Sequence, residues 1–247
     1  MARRRPLARP PIKEALVDFR VASDPPIEPG RLHALRNVVV ADYPQVDERR
    51  SISAEIRFDG EKLSPATRDL GFHGLFFKSE DGHRLAQFRR DGFTLNQLAA
   101  YSNADNLIRE ALRLWELYRD SSQPLAITRI ALRYINALRL PLLPADDFSR
   151  FLTAAPTMPP LTPQALSSFL TRVVAHDEPD VVIVTQKLDP VADDRTLPFT
   201  LDIDAFRAAD GLPLESAALL RILERLRELK NRIFFEFLTD EAVELYQ

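Results

Sequence analysis

Arginines alternate with apolar residues in several stretches that have the pattern of β-strands. Arg129 and Arg133 do so in the run Ile127 to Leu140, and Arg20 and Arg57 do so in two earlier runs. Successive side chains of a strand point to opposite faces, so these arginines would lie opposite the buried face. The planar guanidinium group donates paired hydrogen bonds to carboxylates and phosphates. The spacing therefore predicts a sheet face on which Arg129, Arg133, Arg20 and Arg57 bind an anionic ligand or a protein partner.

The same residues also have an ordinary structural interpretation. Asp18 lies two residues before Arg20, and Glu55 lies two residues before Arg57. Antiparallel sheets commonly have one solvated face, on which arginine pairs with aspartate or glutamate across strands. Cross-strand ion pairs are therefore an alternative to a binding site.

A pair of carboxylates offers a different chemistry. Asp202 and Asp204 are two residues apart in a strand-like run, so both would point to one face. Two such carboxylates can bind Mg²⁺ or divide acid and base roles between them. No third ligand is apparent, and an ion pair with Arg207 is the alternative.

Many common catalytic motifs are absent. The chain contains no cysteine, which excludes disulfides, thiolate metal sites and a cysteine nucleophile. It also lacks the spacings of a P-loop, a dinucleotide-binding loop and a zinc-protease helix. The four histidines, His33, His73, His83 and His176, are scattered. We therefore predict no cofactor and no metal site.

The overall charge gives little general attraction to nucleic acid, because 33 basic and 36 acidic residues leave a net charge of −3. Residues 1–11 are the exception, with Arg3, Arg4, Arg5 and Arg9 among prolines. This composition predicts a disordered basic tail that could contact phosphates or an acidic partner. No apolar run is long enough to cross a membrane, and we expect a cytoplasmic protein.

The first half reads as an N-terminal lobe of residues 12–120. It begins with a strand ending at Ala22, continues with a helix starting at Pro29, and then has three or four strands. Among these strands, Gln87 and Arg89 could join the arginine face. A helix with Trp115 and Tyr118 on its apolar side closes the unit.

The second half, residues 125–247, repeats this order. The strand Ile127 to Leu140 opens it, a short helix from Asp146 to Leu152 follows, and further strands lead to a long helix that starts near Pro213. The apolar stripe of that helix contains Leu219, Leu223, Leu226, Ile233 and Phe237. Extra aromatic residues near its end suggest a homodimer interface as an alternative to core packing.

The pattern predicts an α+β fold of two pseudo-repeated β-α-β(3-4)-α units. Such units resemble TATA-binding-protein-like and helix-grip folds, in which a curved antiparallel sheet carries helices on one side. Two independent lobes or a single irregular α+β domain are the alternatives.

Four segments carry a resemblance to a known group of proteins. They are PPIKEALVDFR near the N-terminus, the helix with Trp115 and Tyr118, RIALRYIN in the centre, and IFFEFLTDEAVELY at the end. Together they resemble a sporadically distributed bacterial family. The resemblance implies one shared architecture and supplies no catalytic residue. The patchy distribution of that family suggests defence or toxin–antitoxin loci.

Three functions are consistent with these features. The first is a non-enzymatic binding or partner protein that uses the arginine face. The second is a nucleic-acid-binding accessory protein, in which the basic tail and the arginines follow phosphates. The third is an enzyme of unrecognised type that uses Asp202 and Asp204.

Overall fold

The computed structural model describes residues 2–59, 62–98, 101, 103–142, 147–188 and 196–247. For residues 54–59 and 62–66 it describes the backbone alone. In these ranges nine strands form one antiparallel sheet, in the order β2-β3-β4-β5-β1-β6-β9-β8-β7. The strands are β1 (Ile12–Ala22), β2 (Gln45–Asp59), β3 (Lys62–Lys78), β4 (Arg84–Arg89), β5 (Gly92–Gln97), β6 (Ala126–Leu140), β7 (Phe169–Asp177), β8 (Asp180–Leu188) and β9 (Leu197–Leu212).

Five α-helices and one 3-10 turn accompany the sheet in the same ranges. The helices are α1 (Pro29–Ala34), α2 (Arg36–Val39), α3 (Ala104–Ser122), α4 (Ser216–Phe237) and α5 (Asp240–Glu244), and the 3-10 turn is Phe148–Arg150. None of these helices combines the length and apolar character that crossing a membrane requires.

The two halves of the chain meet at β1 and β6, which are neighbours within the sheet. In their antiparallel register, Asp18 lies opposite Ala131 and Phe19 lies opposite Ile130. The predicted α+β class with an antiparallel sheet is confirmed. The two halves are continuous through this one sheet.

The long helices cover one face of the sheet, where the apolar residues of the alternating strands are buried. The indole of Trp115 on α3 stacks on Phe19 of β1, with 4.8 Å between the ring centroids. The hydroxyl of Tyr118, one turn further along α3, donates to the carbonyl oxygen of Arg89 at 2.9 Å. Truncating a buried aromatic residue such as Trp115 to alanine costs about 3–5 kcal/mol. The opposite face of the sheet is left for the charged residues.

The backbones of β5 and β1 approach each other closely at Gly92, the first residue of β5. Gly92 lies opposite Arg20 in the β1–β5 register and has a φ of 152°. A Cβ atom at this position would lie 2.0 Å from the carbonyl oxygen of Phe19. Glycine is therefore required here, and its lack of a side chain allows β5 to pair closely with β1.

The predicted short helix from Asp146 to Leu152 is wrong. Asp146 lies outside the described residues, and the segment after it contains only the 3-10 turn. A side-chain oxygen of Asp147 accepts from the backbone N–H of Ser149 at 2.8 Å, and Leu152 then forms a β-bridge with Leu238. After the 3-10 turn the chain therefore forms a β-bridge instead of continuing as a helix.

Residues 2–11, predicted to be a disordered tail, lie along α4 and α5. The backbone N–H of Ala2 donates to the carbonyl oxygen of Phe235 at 2.9 Å, and Arg4 forms an ion pair of 2.7 Å with Glu228. The aromatic end of α4, which suggested a homodimer interface, thus lies against the N-terminal segment of its own chain.

Candidate functional site

The open face, which is the face of the sheet opposite the helices, carries charged side chains from three adjacent strands. Asp18 and Arg20 project from β1, Arg129 and Arg133 project from β6, and Asp204 projects from β9. Their immediate neighbours in sequence on these strands include the fully buried apolar residues of the core face. The alternation of each strand therefore gathers these side chains on one surface.

Asp18 is the centre of the charged cluster, and its side chain is only 8% exposed. One carboxylate oxygen accepts from the hydroxyl of Thr94 at 2.6 Å and from Arg89 at 3.1 Å. The other accepts from Arg129 and Arg20, each at 3.2 Å. Burial alone would raise the pKa of Asp18, but the Thr94 hydrogen bond and the charges of Arg89 and Arg20 together lower it.

Arg129 connects β1 to β9. Its Nη1 donates to Asp18, and its Nη2 lies 2.9 and 2.7 Å from the two carboxylate oxygens of Asp204. The guanidinium also lies over the ring of Phe206, 4.4 Å from the centroid. Burial raises the pKa of Asp204, against the opposing charges of Arg129 and Arg133. Two carboxylates and an aromatic ring thus hold Arg129 in one orientation.

Arg133 binds the second carboxylate of the pair that suggested a metal site. Its Nε donates to one oxygen of Asp202 at 2.8 Å, and its Nη2 donates to the other. Asp202 and Asp204 are therefore both engaged by arginines, which occupy the oxygens that a cation would need. Among the described residues there is no group of three potential metal ligands from histidine, cysteine, aspartate or glutamate.

The alternative ion pair of these aspartates with Arg207 is not formed. Arg207 instead binds Asp180, with 2.7 Å from Nε to the nearer carboxylate oxygen. Asp180 also accepts from Arg225 of α4. Arg207 lies an odd number of residues from Asp202 and Asp204 along β9, so it points to the helical face.

Arg20 and Arg89 complete the cluster through a shared aspartate. Nη1 of Arg20 lies 2.6 Å from Asp91, and Nε of Arg89 lies 3.0 Å from the same carboxylate. Arg89 is nearly buried, whereas 46% of the Arg20 side chain is exposed. Arg89 therefore acts as an internal cation of the cluster, and Arg20 reaches the solvent.

These residues surround a groove with a volume of about 630 Å³, hereafter the arginine groove. Four guanidinium groups and two carboxylates line it, together with amide, hydroxyl and apolar side chains. The lining residues are Leu16, Asp18, Arg20, Gln87, Arg89, Thr94, Asn96, Arg129, Arg133 and Asp204.

Arg57, the fourth predicted site residue, belongs to β2 at the edge of the sheet, opposite Ser64 of β3. Three strands separate β2 from β1. Its side chain lies outside the described residues, as does that of Glu55. The backbone topology therefore groups Arg20, Arg129 and Arg133 and places Arg57 on a distant strand.

Two groove residues, Thr94 and Asn96, were not identified from the sequence. Both are buried polar residues of β5 that alternate with the buried Phe93 and Leu95. The amide of Asn96 donates to Glu14 at 2.6 Å and accepts from Gln87 at 2.7 Å. The alternation of polar and apolar residues from 93 to 96 was the signal for this position.

No family model, curated protein or solved structure matches the chain. The family resemblance of its motifs stays a prediction, and the function is inferred from the geometry of the arginine groove.

Proposed function

We propose that the protein is a non-enzymatic binding protein whose arginine groove engages an acidic segment of a protein partner. The observation that carries this proposal is the convergence of four oriented guanidinium groups on one groove. Each is held by at least one aspartate, so its direction is set before a ligand arrives. The anchoring aspartates thus act as positioning residues for the arginines.

Arg20 and Arg133 are the most accessible arginines of the groove, with 46% and 39% of their side chains exposed. Asp202 accepts from Nε and Nη2 of Arg133, whose Nη1 has no hydrogen bond to a described residue. Arg20 similarly uses Nε and Nη1 and leaves Nη2 without such a bond. These N–H groups can bind a carboxylate of a partner without breaking the internal ion pairs.

The charges of the whole cluster favour a peptide over a nucleic acid. Four arginines face four aspartates, counting Asp18, Asp91, Asp202 and Asp204, so the cluster lacks the excess positive charge that binding along a phosphate backbone requires. Recognition of a peptide would instead rest on directed hydrogen bonds from Arg20 and Arg133 to one or two carboxylates. The basic N-terminal segment contacts α4 on the opposite side of the sheet. It therefore cannot extend the arginine face in this arrangement.

Site-specific photo-crosslinking tests this proposal. A benzophenone amino acid at Leu16, an apolar position in the groove, should capture one protein in cells that contain the natural partner. The same probe at Arg109, an exposed position of α3 on the helical side, should not capture it. The Arg20→Gln/Arg133→Gln double variant should abolish the crosslink from position 16. A crosslink that survives this change, or one to nucleic acid alone, would refute the proposal.

The strand order also supports the two-unit description of the fold. Each half opens with a central strand, and its last strand returns beside that opening strand, as β5 does beside β1 and β9 does beside β6. A long helix, α3 or α4, then follows. This order is consistent with a pseudo-repeat of the TATA-binding-protein-like type, in which the first half has one additional strand. A role in a defence or toxin–antitoxin locus rests on the motif resemblance.

A further inference from the structure

A second cavity lies on the helical side of the sheet and has a volume of about 470 Å³. The N-terminal segment, the start of α3 and the second half of α4 surround it. Its apolar lining includes Leu7, Ile12, Phe234 and Phe235. The volume is within the range of small-molecule sites, which is about 300–1,000 Å³.

Lys230 of α4 lines this cavity although it is nine-tenths buried, with 9% of its surface exposed. Its ammonium nitrogen lies over the ring of Tyr134, 3.8 Å from the centroid. The hydroxyl of Tyr134 is hydrogen-bonded to that of Tyr101 at 2.9 Å. Within the described residues, Lys230 forms no ion pair and no hydrogen bond. A lysine this buried without a carboxylate partner is unusual, because transfer of a charge from water is costly.

Arg5 supplies a second donor to the same cavity. Its Nε is buried and has no hydrogen-bond partner in the described part of the protein. Its terminal nitrogens make only long contacts, of 3.6 Å to Asp240 and 3.9 Å to Glu244. Buried polar groups are normally hydrogen-bonded, so an unpaired N–H and an unpaired ammonium on residues that line the same cavity indicate an unfilled site.

The electrostatics of the cavity favour an anion. No carboxylate is among its described lining residues, whereas Arg4, Arg5, Arg227 and Lys230 all line it. Arg4 and Arg227 pair with Glu228 and Asp105, which are not among the lining residues, so Arg5 and Lys230 are the cations that a ligand would meet. Ala104, the first residue of α3, and the N-cap residue Asn103 also line it, and the N-terminal end of a helix carries partial positive charge. Burial, together with the charges of Arg227 and Arg4 and against the charge of Glu228, lowers the pKa of Lys230 to about 7. A bound anion would reverse this effect by stabilising the ammonium form.

We propose that this cavity binds a small organic carboxylate with an apolar body. The carboxylate would pair with Lys230 and Arg5, and the apolar body would contact Leu7, Ile12 and the aromatic rings of α4. A phosphate group fits less well, because Arg4 and Arg227 are already paired with carboxylates and much of the remaining lining is apolar. The site lies on the opposite side of the sheet from the arginine groove and does not depend on the function proposed for that groove.

Calorimetric titration of the full chain with octanoate tests the site. Octanoate should bind the wild-type protein more tightly than octanol does. The Lys230→Met variant preserves the apolar stem but removes the charge, and should weaken octanoate binding at least about tenfold while leaving octanol binding nearly unchanged. Arg5→Gln should also weaken octanoate binding. Lys78→Met, which changes an exposed lysine of β3, is the matched control and should have no effect.

Proton uptake supplies an independent readout. At about pH 8, octanoate binding should draw a proton onto Lys230, so the measured enthalpy should depend on the ionisation enthalpy of the buffer. This dependence should disappear in Lys230→Met, whose folding can be verified by circular dichroism. Equal octanoate affinity of Lys230→Met and the wild type would overturn the proposal. So would equal affinity of the wild type for octanol and octanoate, or no octanoate binding at millimolar concentration.

Discussion

Nη2 of Arg129 lies 2.9 and 2.7 Å from the two carboxylate oxygens of Asp204, across the β6–β9 pair. The same guanidinium reaches Asp18 on β1 through Nη1. One side chain therefore ties together three strands on the open face. The arginine groove is consequently a rigid surface, in which charged groups are held in place by their neighbours.

Asp18→Asn should destabilise the protein strongly. Arg89, whose side chain is 6% exposed, would lose a buried charge partner, and such a loss costs on the order of 3 kcal/mol. Urea unfolding measures the effect. Asp69→Asn is the matched control, since Asp69 pairs with Arg50 in solvent and should change stability little. The central role of Asp18 is contradicted if both variants lose the same small amount.

The stabilisation of the folded protein by Asp18 should decrease at low pH. Its pKa in the folded protein is below the ordinary value of 3.8, so the ionised form favours the folded state. The stabilisation is present above about pH 3.8 and is lost as the pH falls through the lower folded pKa. The stability difference between the wild type and Asp18→Asn should therefore shrink in acid. A difference that does not change between neutral and strongly acidic pH would contradict this.

Lys230→Met should stabilise the protein, with the opposite pH profile. The folded pKa of Lys230 is lowered from 10.5 to about 7, so burial of its charge destabilises the folded state below pH 7. Arg227 and Arg4 add to this effect, and Glu228 opposes it. The penalty disappears as the pH rises from about 7 towards 10.5. Urea unfolding at about pH 6 and about pH 10 should show a gain on the order of a few kcal/mol that is largest at the lower pH. A gain independent of pH would refute this assignment.

Gly92→Ala should be among the most destabilising alanine substitutions of a glycine. The new Cβ would lie 2.0 Å from the carbonyl oxygen of Phe19, and the φ of 152° is itself unfavourable for alanine. We expect a loss of more than about 2 kcal/mol in thermal or urea unfolding. Gly30→Ala is the control, because its Cβ would meet no atom within 4 Å. Equal stability of the two variants would contradict the close approach of the β5 backbone to Phe19 of β1.

The faces of the central strands could be predicted from the sequence, but the partners of their arginines could not. Alternation alone places the side chains of Arg129 and Ile130 on opposite faces of the sheet. Its pairing with Asp18 depends on the β1–β6 register, which joins residues 111 positions apart. Local periodicity contains no information on such a register. The choice between paired and open arginines therefore required the structure.

The position of Lys230 in the sequence of α4 already indicates an unusual lysine. The apolar stripe of α4 passes through Leu223, Leu226, Ile233 and Phe237, and Lys230 occupies the position between Leu226 and Ile233 on that stripe. A lysine in such a place is either buried or directed into a cavity. The unpaired state of its ammonium could not be predicted, since it depends on the N-terminal segment and on Tyr134 of a distant strand.

Fluorescence anisotropy with a labelled oligoglutamate peptide tests whether the arginine groove recognises acidic peptide segments. We expect saturable binding that weakens at least about tenfold in Arg20→Gln/Arg133→Gln, and no comparable binding of an oligolysine peptide. Arg109→Gln/Arg172→Gln, which removes two exposed arginines outside the groove, should bind as the wild type does. Absence of oligoglutamate binding, or binding that the groove variant leaves unchanged, would contradict recognition of acidic segments by the groove.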